Sequence, residues 1–229
     1  SPLASDSTYD AIIEIGGYLS SHIEQHRTHP AHDAITHPLD ARLPDDRLLT
    51  RDEILGVCIL LLLAGIDTTW SAIGASLLHL ATHPDDRRRL IDEPGLINSA
   101  TEEFLRVFAP VTMAREVIED TVVGGCPMKK GDRVLLPFPA GNRDPDVFDQ
   151  PDQVTLDREV NRHFAFGVGI HRCLGSNLAR MELRVTIQAW LDRIPDFAVT
   201  DVDAVTWSAG QVRGPRTLPL TFSPLKETA

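Results

Sequence analysis

The sequence predicts a mainly α-helical protein with a small β region. Three observations carry this. Residues 9–27, 50–82 and 176–193 place apolar side chains at helical spacing. Short β-branched runs separated by glycine turns lie within residues 115–136. Of the 229 residues 42% are apolar, enough to build a sizeable core in one large domain or two small ones.

The elements follow in order. Ile12, Ile13, Ile15, Leu19 and Ile23 recur on one broad face of the first helix. Residues 28–49 are rich in His, Pro and Asp and read as a loop, with an imperfect helical stretch over 33–42 interrupted by Pro38. Thr50-Arg51-Asp52-Glu53 is a capping box, Thr50 at the N-cap and Glu53 at the third helical position. The helix it opens runs to Thr82, where His83-Pro84 stops it. At the standard rise it is about 45 Å long. Its first half is apolar nearly all round, so it is expected to cross the interior. Shorter helices are expected over 84–91 and 96–108. Val117-Ile118, Thr121-Val122-Val123 and Val134-Leu135-Leu136 read as strands, with Cys126 in a turn. Residues 142–162 are irregular, a helix follows over 176–193, and the tail from Phe197 alternates in short pieces that suit hairpins.

Bulk properties exclude some functions. A net charge of -11 without a basic stripe argues against a nucleic-acid surface. The 3 cysteines are far apart, which disfavours a disulfide framework and suits a reducing compartment, the cytoplasm. The N-terminus lacks the basic-then-apolar pattern of a signal peptide. The apolar run over 54–66 is shorter than the ~20 residues a bilayer crossing takes, and its flanks Asp52-Glu53 and Asp67 suit a core helix. The histidines His22, His26, His29, His32 and His37 show no zinc spacing; His22 and His26, four apart, suit at most an adventitious ion.

Residues 166–175 read F-x-x-G-x-x-x-C-x-G, from Phe166 through Cys173 to Gly175. The pattern places one cysteine in a glycine-rich loop directly before a helix, whose N-terminus and free N–H groups favour a thiolate. The glycines, Gly167 among them, let backbone approach something large and flat. Ala64-Gly65-Ile66-Asp67-Thr68-Thr69 is the second cluster. Glycine in a helix interior costs about 1 kcal/mol against alanine, and a local widening there would seat a small ligand and water beside the helix. Taken alone, this motif suits equally well threonines bonded back to the preceding turn and an Asp67 paired with a cation. Glu103 and Arg106, three apart, share a helix face and suit an ion pair.

In chain order, the cluster at 64–69, the Glu103–Arg106 pair, the irregular segment 142–162 and the cysteine loop at 166–175 together resemble the cytochrome P450 family. The resemblance spans most of the chain after Thr50 and implies a P450 fold lacking its N-terminal half, in the style of soluble bacterial members. It implies haem b with Cys173 as the axial thiolate to iron, Phe166, Gly167 and Gly175 beside it, and His171 and Arg115 as propionate donors. Ala64 and Gly65 would line the oxygen-binding groove, Asp67 and Thr68 relay protons to dioxygen, and Glu103, Arg106 and Arg158 form a buried structural triad. Substrate contacts are expected from Ile66, Thr69, Val111, Thr112 and Met113. The implied activity is monooxygenation of a small organic substrate, with electrons from a ferredoxin or flavodoxin that Arg162, Arg172 and Arg180 would meet. A peroxide-using haem-thiolate enzyme is the alternative within the family. A haem-free, non-catalytic helical remnant acting through exposed apolar faces is the alternative outside it. In any of these readings the missing half would leave apolar faces exposed on the helices over 50–82 and 176–193, open to self-association, and the chain would be a fragment, one part of a split protein or a domain-swapped assembly.

Overall fold

The computed structural model describes residues 6–31 and 33–223. The chain divides into two compact units, one up to Ile66 and one from Asp67.

In the first unit, helices α1 (Asp6–Thr28) and α2 (Thr36–Asp40) gather with the start of α3 (Arg51–Thr82) around Ile23, Ile54 and Cys58. The capping box forms at α3. The Thr50 N–H donates to Glu53 Oε2 at 2.8 Å, and the Glu53 N–H donates to Thr50 Oγ1 at 3.3 Å. Of the expected apolar face of α1, only Leu19 and Ile23 reach this core, while Ile12 and Ile13 are exposed. His26 is committed locally: one ring nitrogen lies 2.6 Å from Asp33 Oδ2, the other 2.7 Å from the His22 carbonyl oxygen. His32 lies outside the described residues.

In the second unit, the end of α3, α4 (Pro84–Asp92), a 3₁₀ turn (Pro94–Leu96), α5 (Ile97–Val107) and α7 (Ser176–Arg193) enclose a core centred on Leu80, Phe104, Leu156, Ile187 and Phe197. Among the described residues the β region is four two-stranded antiparallel ladders. β1 (Thr112–Glu116) pairs with β4 (Arg133–Pro137), with Thr112 opposite Pro137. β2 (Thr121–Val123) and β3 (Cys126–Met128) form a hairpin whose Gly124 and Gly125 both hold positive φ, 57° and 81°. After the short α6 (Phe138–Gly141), residues 142–162 carry neither helix nor strand. The tail pairs β5 (Phe197–Val199) with β8 (Leu220–Phe222) and β6 (Thr206–Trp207) with β7 (Pro215–Thr217).

Three expectations are corrected. Val117 and Ile118 lie outside the strands; β1 ends at Glu116, and Ile118 is exposed, so its β-branched character marks no ladder. Cys126 opens β3 rather than sitting in the turn. The first half of α3 is not an interior helix: Leu60 to Leu63 and Ile66 are exposed, Leu63 at 65%. The whole helix, unlike the run 54–66, is long and apolar enough by length and composition to cross a membrane, with one 18-residue window averaging hydropathy 1.9. Its second half is largely buried, through Ser71, Ala72, Ala75, Ser76, Leu77 and Leu80, with Trp70 exposed.

Candidate functional site

Helix α5 organises the polar interior. Glu103 and Arg106 are wholly buried and meet in a two-point pair, Arg106 Nε to Glu103 Oε2 at 2.8 Å and Nη2 to Oε1 at 2.7 Å. The remaining Arg106 donors reach the carbonyl oxygens of Asn142, Pro151 and Gln153 at 2.9, 2.6 and 2.8 Å, so every N–H of the guanidinium is used. Glu103 also accepts from Arg158 Nε at 3.0 Å, Asn161 Nδ2 at 3.0 Å and the Thr155 N–H at 2.9 Å. The triad expected of Glu103, Arg106 and Arg158 is therefore assembled. Burial would raise the Glu103 pKa, but the donors from Arg106, Arg158 and Thr155 outweigh it and hold the carboxylate below its ordinary value. These bonds tie residues 151–161, which have no ladder of their own, to one helix face.

Glu102, one position earlier, takes the next stretch of chain. It accepts from His163 Nε2 at 2.9 Å and from Arg180 of α7 through Nε at 2.6 Å and Nη2 at 2.9 Å. Burial again opposes ionisation, but hydrogen bonds from His163 and Arg180 bring its pKa to about 2. His163 Nδ1 accepts the Ala165 N–H at 3.2 Å, which leaves Nε2 to carry the proton given to Glu102. The Arg180 guanidinium lies 4.6 Å from the Phe166 ring centre. Arg180 is thus engaged inside the protein, not presented to a partner as expected; Arg162 and Arg172 are exposed.

The cysteine loop follows. Gly167 and Gly169 have φ of 69° and 68°, a left-handed backbone that favours glycine. The loop doubles back so that the Cys173 N–H donates to the Phe166 carbonyl at 2.8 Å, and the Cys173 carbonyl accepts the Ser176 N–H at 3.4 Å where α7 begins. Cys173 is a free, exposed thiol. Around it stand exposed apolar side chains, Ile170 at 96% and Leu174 at 87% among them. His171 and Gly175 are exposed as well, and Phe166 is half-buried.

Asp67 and Thr68 lie on α3, both half-buried, with Thr69 beside them and Trp70 exposed at 58%. Asp67 is paired at both oxygens with Arg216 of β7, the Nη2–Oδ2 distance being 3.1 Å. The Arg216 hydrogen bond holds the Asp67 carboxyl below its ordinary pKa. Small residues bring these elements together. A side chain at Gly214 would stand 2.3 Å from Ser71 Cβ, and one at Gly74 would stand 2.8 Å from Pro215 Cγ. Ala64, Gly65 and Ile66 lie on the exposed stretch of the same helix.

Val111, Thr112 and Met113 are half-buried at the start of β1, and the tail closes on them. Val111 bridges Val212, the Thr112 N–H donates to the Gln211 carbonyl at 2.9 Å, and Gln211 Nε2 donates to Met113 Sδ at 3.4 Å. Arg115 is half-buried on β1 and donates to the neighbouring Ala114 carbonyl at 2.8 Å.

The sequence reading missed Glu102, His163 and Arg216, and named Asn142 only as the start of the irregular segment. Asn142 is fully buried, its Nδ2 donating to the Arg106 carbonyl at 3.2 Å and its Oδ1 accepting the Phe164 N–H at 2.9 Å. Adjacent acids on a short helix were the visible sign for Glu102. No local pattern points to Arg216, 149 residues from Asp67.

A family model described as "Cytochrome P450" matches residues 6–195. The chain belongs to the cytochrome P450 family. It is similar to the vitamin D(3) 25-hydroxylase of Pseudonocardia autotrophica, 38% identical over 98% of this chain and 58% of that protein. It is 37% identical to the biotin biosynthesis cytochrome P450 of Bacillus subtilis, over 92% of this chain and 53% of that one. Among solved structures, CYP109E1 from Bacillus megaterium, in complex with testosterone, matches with a TM-score of 0.87 and 34% identity over 93% of this chain and 59% of that one. This P450 chain therefore spans little more than half the length of the curated relatives it matches.

Proposed function

We propose that the chain is the haem-carrying part of a cytoplasmic haem-thiolate monooxygenase, with Cys173 as the axial ligand of haem b. The reaction is insertion of one oxygen atom from dioxygen into a small organic substrate. One observation carries this reading: a free thiol on a glycine-bent loop at the start of α7, among exposed apolar side chains suited to a flat apolar group. The donor set fits. Among the described residues no group of three His, Cys, Asp or Glu side chains comes together to hold a bare ion. An iron already held by a macrocycle asks only an axial ligand of the protein, and a thiolate suits it. When bound, thiolate-ligated haem supplies the chemistry of O–O cleavage. That some relatives are named hydroxylases supports oxygen insertion.

The chain's own residues then take these parts. Gly167 and Gly175 keep the loop thin beside the group, and Phe166 packs near the sulfur. His171 and Arg115 would donate to the carboxylates of the bound haem. Ala64 and Gly65 leave room on α3 for dioxygen and water. Asp67 and Thr68 move protons, with Arg216 keeping Asp67 ionised. Ile66, Thr69, Val111, Thr112 and Met113 contact substrate. A ferredoxin or flavodoxin docks against Arg162 and Arg172 as electron donor.

The test is a ferrous carbon-monoxide difference spectrum of the haem-reconstituted chain. A red-shifted thiolate-type Soret band is expected, and Cys173→Ser should abolish it. A band of neutral-ligand type in the wild-type chain overturns the Cys173 assignment. Absence of haem uptake favours a haem-free module acting through its apolar faces. The Asp67–Arg216 pair also suits a peroxide-using enzyme, which needs no proton relay. Thr68→Ala separates the two: in a monooxygenase it lowers reductase-driven turnover and spares peroxide-driven turnover.

A further inference from the structure

Two neighbouring carboxylates on α5 hold two different things. Glu103 is saturated by its helix neighbour Arg106 and, from the irregular segment, by Arg158, Asn161 and the Thr155 N–H. Glu102 touches none of these. Its partners are His163, at the entrance to the cysteine loop, and Arg180, one turn into α7 at its exit. A single carboxylate thus clamps both ends of the loop. Between the ends, the Arg180 guanidinium carbon lies over the Phe166 ring, 4.6 Å from its centre, and the Phe166 carbonyl receives the Cys173 N–H. The chain of contact runs from Glu102 through Arg180 and Phe166 to the backbone of Cys173. Arginine suits this task and lysine does not: its planar fork meets both carboxylate oxygens while its face covers a ring.

We propose that Glu102 is the positioning residue of the Cys173 loop, setting the sulfur's placement through Arg180 and Phe166, distinct from the structural triad of Glu103. This rests on the reading of Cys173 as the haem ligand. The fold supplies the reason for placing the clamp there. Residues 163–175 have no strand pairing, and Gly167 and Gly169 make the loop permissive, so a side-chain anchor must supply the order that a ladder would give elsewhere.

The experiment pairs two readouts on wild type, Glu102→Gln and Arg180→Lys. The first is hydrogen exchange of the haem-free chain. Loss of one charge-assisted hydrogen bond should speed exchange in peptides covering 166–173 by about ten- to a hundred-fold in either variant, while peptides covering 151–158 keep the wild-type rate. The second is the carbon-monoxide difference spectrum after haem loading, in which both variants should lose part of the thiolate-type band to the neutral type. Unchanged exchange over 166–173 overturns the proposal. So does an equal rise over 151–158, because a merely structural role would loosen both segments. Arg180→Lys keeps the test decisive if Glu102→Gln fails to fold. If the wild-type chain shows no thiolate-type band, the Cys173 assignment falls, and the exchange result still decides the clamp.

Discussion

The interior around α5 and the face bearing Cys173 differ in how their groups are satisfied. Around Glu103 and Arg106, charge is buried and every donor of the arginine has an acceptor within the chain. Around Cys173 the reverse holds: Ile170 and Leu174 are apolar and exposed. Along α3, taken by itself, Leu60, Leu63 and Trp70 are apolar and exposed as well. Polar groups hidden and apolar groups in water is the opposite of the usual partition. The first arrangement stands because each buried charge is compensated. Exposed apolar clusters of the second kind commonly mark surfaces that bind something. The two regions are linked by Glu102 and Arg180, which belong to the compensated interior yet reach the ring beside the exposed loop.

Removing one partner from the compensated interior should have the largest effect. Glu103→Ala leaves Arg106 and Arg158 facing each other without a carboxylate, a loss of about 3–5 kcal/mol by the usual cost of an orphaned buried charge, measurable by urea unfolding. A loss under about 1 kcal/mol would mean that the network behaves as a surface pair. Acid probes the same region. Glu102, with its folded pKa near 2, and Glu103, also depressed, contribute stability that is complete above the unfolded carboxylate value. That contribution should fade as pH falls from about 4.3 toward 2. In Glu102→Gln the fall below pH 4 should be shallower, as read by thermal melts across that range.

An intermediate effect is expected where the tail meets α3. Gly214→Ala places a Cβ 2.6 Å from the Ser71 Cα, a backbone atom that cannot swing aside. Overpacking of this kind costs about 1–3 kcal/mol, and the displaced β7 should release Asp67 from Arg216. An unchanged melting temperature would show that the contact is loose in solution.

The smallest effect belongs to the exposed face. Leu63→Gln and Trp70→Ser should change unfolding by no more than about 0.5 kcal/mol, the usual range for exposed positions, as read by urea unfolding. A clear loss of stability would show that these side chains are packed in solution, and the contrast between the two regions would dissolve.

Much of this was readable in the chain. The capping box at Thr50 and Glu53 and the stop at His83-Pro84 are local chemistry, and each formed as read. Gly124-Gly125 was read as a break between strands, but the partner strand it leads into, opened by Cys126, was not. The pair Glu103–Arg106 was readable because three-residue spacing on a helix makes the two neighbours whatever the rest of the chain does. The buried half of α3 could not be told from its exposed half, since Leu and Ile read alike in both. Val117-Ile118 misled for a related reason: β-branched residues report fitness for a strand, and pairing depends on a partner.

By itself, then, the sequence determined the helices with strong caps and periodicity, the glycine turns and the family motifs, because these depend on neighbours a few residues apart. Only the tertiary structure decided that Arg158 and Asn161 complete Glu103, that Glu102 joins His163 to Arg180, and that Arg216 crosses 149 residues to Asp67. Those partners are brought together by packing over long loops, and a buried or half-buried carboxylate takes whichever donors the fold delivers, a choice no local pattern encodes.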